Sequence, residues 1–233
     1  MAYHMSFYFY LNMAIIAFPL VFSFERRMRF YSKIKPLLIS LLVVGIFFVG
    51  WDVFATHRGH WAFNPSYVYE MRFWGLPVEE LLFFLTVPYS CIFVFDSISY
   101  FFEDSKLFTL RKRFSLVLGV LITFSAFSFF SREYTFLAVL SVGLTVLFVS
   151  LVNLKLFCSK TYWTYVGLTL VLFAIFNYVL TSLPVVQYSS NAITGFRVIT
   201  IPIEDFLFNF SMLTNYLTVY LWASKNWEPN RCF

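Results

Sequence analysis

The sequence predicts an all-α, polytopic membrane protein with seven transmembrane helices and its N-terminus outside. Three observations carry that prediction. The chain of 233 residues is 60% hydrophobic and only 12% charged, against about 25% charged in soluble domains. Several apolar runs approach the roughly 20 residues needed to cross a bilayer. The basic residues crowd into alternate connections, as the positive-inside rule requires. The net charge of +5 then reflects loop residues that set topology. It does not suggest nucleic acid, because no basic face with base-stacking partners is available in lipid.

Taken in order, the apolar runs place spans at about 4–24, 36–55, 77–102, 114–130, 134–154, 162–182 and 202–222. The first run has no positive charge before it, and Arg26, Arg27, Arg29, Lys33 and Lys35 follow it. A secretory signal has the opposite arrangement, so this run is expected to be a retained first helix. The third run is long enough to tilt or protrude. With the N-terminus outside, the inner connections are 25–35, 103–113, 155–161 and the tail from 223. They hold thirteen basic residues, whereas the outer loops hold only Arg58, Arg72, Arg132 and Arg197. An even number of spans would scramble this bias. The expected location is the cell membrane, crossed several times.

Two outer loops are long, roughly 56–76 and 183–201. The first carries Trp61, Asn64, Tyr67, Tyr69 and Trp74, the second Gln187, Tyr188 and Asn191. Long ordered loops tend to carry function. Each leads into an acidic, proline-led helix start. Leu76-Pro77-Val78-Glu79-Glu80 returns 125 positions later as Ile201-Pro202-Ile203-Glu204-Asp205, and Arg72 and Phe83 return as Arg197 and Phe208. The chain therefore divides into a first three-helix repeat (1–102), a linking helix (103–133) and a second three-helix repeat (134–233). Parallel repeats of this 3+1+3 kind place a shared site at their interface.

A proline followed by two carboxylates is, by itself, a good helix start: the ring suits the first turn and the acids meet its unpaired amides. Two such starts at the edge of hydrocarbon-length runs point instead to a pathway or reactive site. Three of the four acids have an aromatic one turn deeper: Phe83 below Glu79, Phe84 below Glu80, and Phe208 below Glu204. If the four carboxylates converge in a dry cavity, repulsion should keep at least one protonated, giving an acid with bases beside it. Aromatic walls attract a cation by about 0.5–2 kcal/mol per ring. Acid, base and aromatic wall suit protonation of an alkene and the carbocation that follows.

Other chemistry has little support. Cys91, Cys158 and Cys232 form no CxxC pattern. His57 and His60, with His4, are too few for a metal centre. No dinucleotide fingerprint, phosphate-binding loop or DDxxD motif occurs. Asp52, after Trp51 deep in the second span, is either a site member or a structural hydrogen-bond partner. The last span has no lysine for a retinal Schiff base. A membrane transporter of the same 3+1+3 plan remains the alternative class, although Pro88 in the third span has only Leu213 as its counterpart.

The chain resembles the membrane lycopene cyclase domain family, the flavin-free type. The residues that carry the likeness are Trp51-Asp52, Phe63-Asn64-Pro65-x-Tyr67, Leu76-Pro77-Val78-Glu79-Glu80 running into Phe83-Phe84, and Pro88-Tyr89. In the second half they are Pro184-Val185-Val186-x-Tyr188, Gly195-x-Arg197 and Ile201-Pro202-Ile203-Glu204-Asp205. The resemblance implies two related halves that form one site and convert lycopene to γ- and then β-carotene, with no cofactor and no metal. It implies Glu79, Glu80, Glu204 and Asp205 as catalytic candidates. Substrate contacts are expected from Trp51, Asp52, Trp61, Asn64, Arg72, Trp74, Phe83, Phe84, Tyr188, Arg197 and Phe208. The expected partners are a carotenoid substrate and the lipid bilayer. A homo-oligomer or contact with other carotenoid-pathway enzymes stays open, as do hydration and cyclisation of longer carotenoids.

Overall fold

The structure, a computed structural model, describes residues 6–153 and 155–227. His4, Arg231 and Cys232 lie outside these residues, as do the first two positions of the expected first span. The apolar runs form helices α1 (Phe7–Phe22), α2 (Ile34–His57), α3 (Val78–Phe101), α4 (Lys112–Ser125), α5 (Glu133–Val152), α6 (Lys155–Cys158), α7 (Lys160–Ser182) and α8 (Ile203–Trp227). Tighter 3₁₀ turns lead into α2 and prolong α4. The starts have local causes. Ser6 and Ser159 accept the backbone N–H of Phe9 and Tyr162, at 3.1 and 3.0 Å, and so cap α1 and α7. Pro77 is extended (φ −66°, ψ 150°), which starts α3 at Val78 and puts Glu79 and Glu80 in its first turn. Glu204 and Asp205 hold the same place in α8.

Among the described residues, five helices are long and apolar enough to cross a membrane: 30–57, 78–101, 112–129, 133–152 and 160–182. Helix α1 is apolar but only 16 residues long. Helix α8 has 25 residues but buries Asn209, Ser211, Thr214 and Thr218. Its position explains this composition. It packs against α2, α3, α5 and α7, so its polar groups meet protein rather than lipid. Helix α4 is the reverse: Phe114, Val117, Leu121 and Phe124 are exposed. It lies close against α5, where a Cβ at Gly143 would come within 2.7 Å of the Thr123 backbone nitrogen.

The helices interlock. Within each half the first helix packs on the third, α1 on α3 and α5 on α8. The second helix of each half packs on the third helix of the other, α2 on α8 and α7 on α3. The loops add β structure that the all-α reading omits, because its strands of two or three residues are too short to show a period. Strands β1 (Trp61–Phe63) and β4 (Val186–Tyr188) pair antiparallel, with Ala62 opposite Gln187. Those two residues are 125 positions apart, so a pseudo-twofold axis runs through their pair. Hairpins β2–β3 (Arg72–Phe73, Leu76–Pro77) and β5–β6 (Arg197–Val198, Ile201–Pro202) are the same structure at the same offset. Their tips place Trp74 (φ 52°) and Ile199 (φ 61°) in the left-handed region.

Candidate active site

The paired loops hold the starts of α3 and α8 together. Tyr67 C=O accepts Tyr8 N–H at 3.2 Å, and Ala192 C=O accepts Tyr134 N–H at 3.0 Å. This ties the first helix of each half to its own long loop. Between them lies a small chamber of about 70 Å³. Its polar groups are Asp52 of α2, Glu80 of α3, Asn177 of α7 and Asp205 of α8, with the hydroxyls of Tyr8, Tyr134 and Tyr188. Trp61, Phe63, Phe83, Phe84, Phe173 and Phe208 supply the remaining rings. Among the described residues, no lysine or arginine lines it.

The carboxylates differ in their partners. Asp205 accepts three hydrogen bonds: from Tyr134 O–H at 2.7 Å, Tyr188 O–H at 2.6 Å and Asn177 Nδ2–H at 2.8 Å. Glu80 accepts Tyr8 O–H at 2.8 Å. Asp52 accepts the Trp61 indole N–H at 3.0 Å, while its Oδ2 is buried without a partner. Loss of water around the Tyr188 hydroxyl, and then the Asp205 charge, push that phenol well above its ordinary pKa, so it stays a donor. Tyr134 is stacked between Tyr188 and His60, with centroids 6.2 Å away on each side. His60 Nε2 in turn lies 3.1 Å from Glu133 Oε2.

Beside the chamber lies an apolar groove of about 360 Å³ between α1, α3, α7 and α8. The two share Phe83, Phe173, Asn177 and Leu180 as walls. The groove runs past Ala14, Phe18, Val87, Cys91 and Leu213. It suits an extended hydrocarbon whose end reaches the carboxylates.

The family described as Lycopene cyclase matches residues 5–98 and 131–223, most of the chain. The chain belongs to the lycopene cyclase family. Each matched segment contains one acidic helix start, and α4 falls in the gap between them. Membership places the chain, at family level, among enzymes of carotenoid cyclisation, with a carotenoid as the substrate class and a lipid setting for its apolar helices. No curated protein and no solved structure matches it.

The candidate residues fall into three groups. Glu80, Asp205, Asp52, Trp61, Phe83, Phe84, Tyr188 and Phe208 line the chamber. Glu79 and Glu204 do not; each ties down its own long loop. Glu79 Oε1 accepts Tyr69 N–H at 2.7 Å and the Ser6 hydroxyl. Glu204 Oε1 accepts Thr194 N–H at 2.8 Å, Thr194 O–H at 2.8 Å and Thr135 O–H at 2.6 Å. The third group stands apart from the chamber. Trp51 packs on Phe48 and Phe208. Asn64 binds backbone, Arg72 is exposed, and Trp74 is 70% exposed at a hairpin tip. Arg197 caps the Tyr188 ring from outside at 5.8 Å. Sequence reasoning missed Tyr8, Phe63, Tyr134, Phe173 and Asn177. Asn177 was within reach, because it is Asp52 carried forward by the repeat offset.

Proposed function

We propose that the chain is a lycopene β-cyclase that closes the end groups of its substrate by acid–base catalysis without a cofactor. The observation that carries this reading is the meeting of Glu80 and Asp205, one from each half, in a ring-walled chamber that shares walls with an apolar groove. The polyene lies in the groove with one end among the carboxylates. A carboxylic acid protonates the terminal alkene and leaves a tertiary cation. The neighbouring internal double bond attacks that cation and closes a six-membered ring. A carboxylate removes the adjacent proton, and the ring double bond forms. Bonds are rearranged with no net redox change. The rings of Trp61, Phe83 and Phe208 stabilise the passing cation, and the walls keep water from capturing it, which favours cyclisation over hydration.

The same reading takes the seven long helices as seven spans. The repeats are then 1–102 and 134–233, the linking helix is 103–133, and the acidic end faces outside. Helix α8 crosses as the protein-wrapped centre, and α1 crosses with help from the loop that follows it. Expression in a lycopene-accumulating bacterium tests the function. The expected pigment is cyclised, and conversion of preformed lycopene in heavy water adds one deuteron per ring closed. Unchanged lycopene in cells that carry the folded protein would sink the proposal.

A further inference from the structure

The two halves are near copies, yet the surroundings of Glu80 and Asp205 differ at two paired positions. The repeat offset relates Glu80 to Asp205, Asp52 to Asn177, and Phe63 to Tyr188. All six line the chamber. In the second half, Asn177 and Tyr188 are both donors to Asp205, at 2.8 and 2.6 Å. In the first half their counterparts are a carboxylate and a phenyl ring, so Glu80 loses two of the three donors that Asp205 has. Only the tyrosine of the first helix is kept, as Tyr8 and Tyr134, at 2.8 and 2.7 Å.

We infer that the halves divide the proton chemistry: Glu80, with Asp52 beside it, holds the proton that starts cyclisation, and Asp205 is the resting anion that takes the proton back. This rests on the cyclisation proposed above. An amide nitrogen can only donate, so the Asn177 contact fixes Asp205 as acceptor. Three donors, one of them an amide, compensate an anion that has lost its water. Around Glu80 the arrangement is the reverse. Among the described residues Tyr8 O–H is its one donor, and the other groups close to it are the carboxyls of Asp52, Glu79 and Asp205 and the phenol of Tyr188. Three carboxyls line one small chamber to which no described residue brings a cation, and two carboxylates that share such a site do not both ionise. The buried, unpartnered Oδ2 of Asp52 agrees with a proton shared within this first-half pair. Glu80 O–H gives its proton to the terminal alkene carbon. After ring closure, Asp205 accepts the proton released beside the new ring. Transfer from Asp205 back to Glu80 across the chamber resets the site.

The test is a pH–rate profile of lycopene cyclisation by the full-length protein in liposomes, for wild type and three variants. Asp52→Asn gives the first half the amide of the second, and Phe63→Tyr gives it the missing hydroxyl. Both favour the Glu80 anion. Each is expected to slow cyclisation about tenfold at neutral pH and to move the alkaline limb to lower pH by about one unit, with activity regained in acid. Asp205→Asn is expected to depress the rate at every pH, with no recovery in acid. Phe63→Tyr carries the test if Asp52→Asn does not fold. An alkaline limb unmoved by the first two variants, or Asp205→Asn activity regained in acid, overturns the division while wild-type turnover keeps the cyclase reading. A wild type without turnover removes both.

Discussion

At the scale of single residues, adjacent carboxylates in one helical turn do different work because successive side chains point about 100° apart. Glu79 and Glu204 turn back into the loops, and Glu80 and Asp205 turn into the chamber. Glu79→Gln and Glu204→Gln therefore trade a charged acceptor for a neutral one on a backbone N–H, at a cost of about 1–3 kcal/mol of stability. Turnover per folded molecule is expected to stay within a few-fold of wild type. Glu80→Gln and Asp205→Asn should instead lose about 10²–10⁴ in turnover per folded molecule, the usual range for a lost acid or base. Thermal unfolding in detergent, measured beside turnover on the same samples, separates the two pairs. Equal turnover losses at all four positions would count against the two-role reading.

At the scale of elements, the helices were legible because hydrocarbon length and low charge leave few alternatives. Even α8 was legible, as the run at about 202–222, although its buried Asn209, Thr214 and Thr218 dilute the signal; a helix wrapped by protein needs no apolar surface. The hairpins were not legible. Two-residue strands carry no period, and neither Trp74 nor Ile199 announces a positive φ, since bulky side chains seldom adopt it. The site was half legible. Offset 125 exposes the paired acids, but Tyr8 and Tyr134 are 126 apart, so one shifted residue before the long loops hides their equivalence. The linker offers a test at this scale. Asp104 Oδ1 accepts Ser159 O–H at 2.9 Å and Thr161 N–H at 3.0 Å, fastening the segment after α3 to the start of α7. Burial pushes its carboxyl up, but these bonds outweigh it and hold the group below its ordinary value of 3.8. A carboxyl depressed on folding adds stability above its unfolded pKa and loses it as pH falls through the folded one. Melting temperature is thus expected to drop as pH falls below about 4, and Asp104→Asn should flatten that drop. The contribution is about 0.5–1 kcal/mol after solvent screening.

At the scale of the whole molecule, the pseudo-twofold axis would supply two grooves, one on each side, and among the described residues the groove found lies between α1, α3, α7 and α8. The walls of the two sides differ. On the α2–α8 side, Phe48, Trp51 and Phe208 stack on one another with centroids 5.3–6.2 Å apart, and Tyr216 closes over Phe48. Their counterparts on the open side are Phe173, Phe176, Phe83 and Cys91. There Phe173 pairs with Phe206 and Phe83 with Phe84, and a thiol stands where the other half has a phenol. Space remains for a chain of carbon atoms. A single groove admits one end of a symmetric polyene at a time, and the far end stays outside the chamber. Closing the second ring requires the half-finished product to leave, turn and re-enter. Early time points should therefore contain almost only monocyclic product, with bicyclic product rising after a lag as free monocyclic substrate accumulates. Chromatography of the first few turnovers reads this directly. A bicyclic fraction constant from the outset would show that both ends are processed in one visit. Cys91→Tyr, which copies the closed half into the open one, is expected to cut turnover at least tenfold while leaving the shape of the pH profile unchanged, because it blocks the hydrocarbon and not the proton.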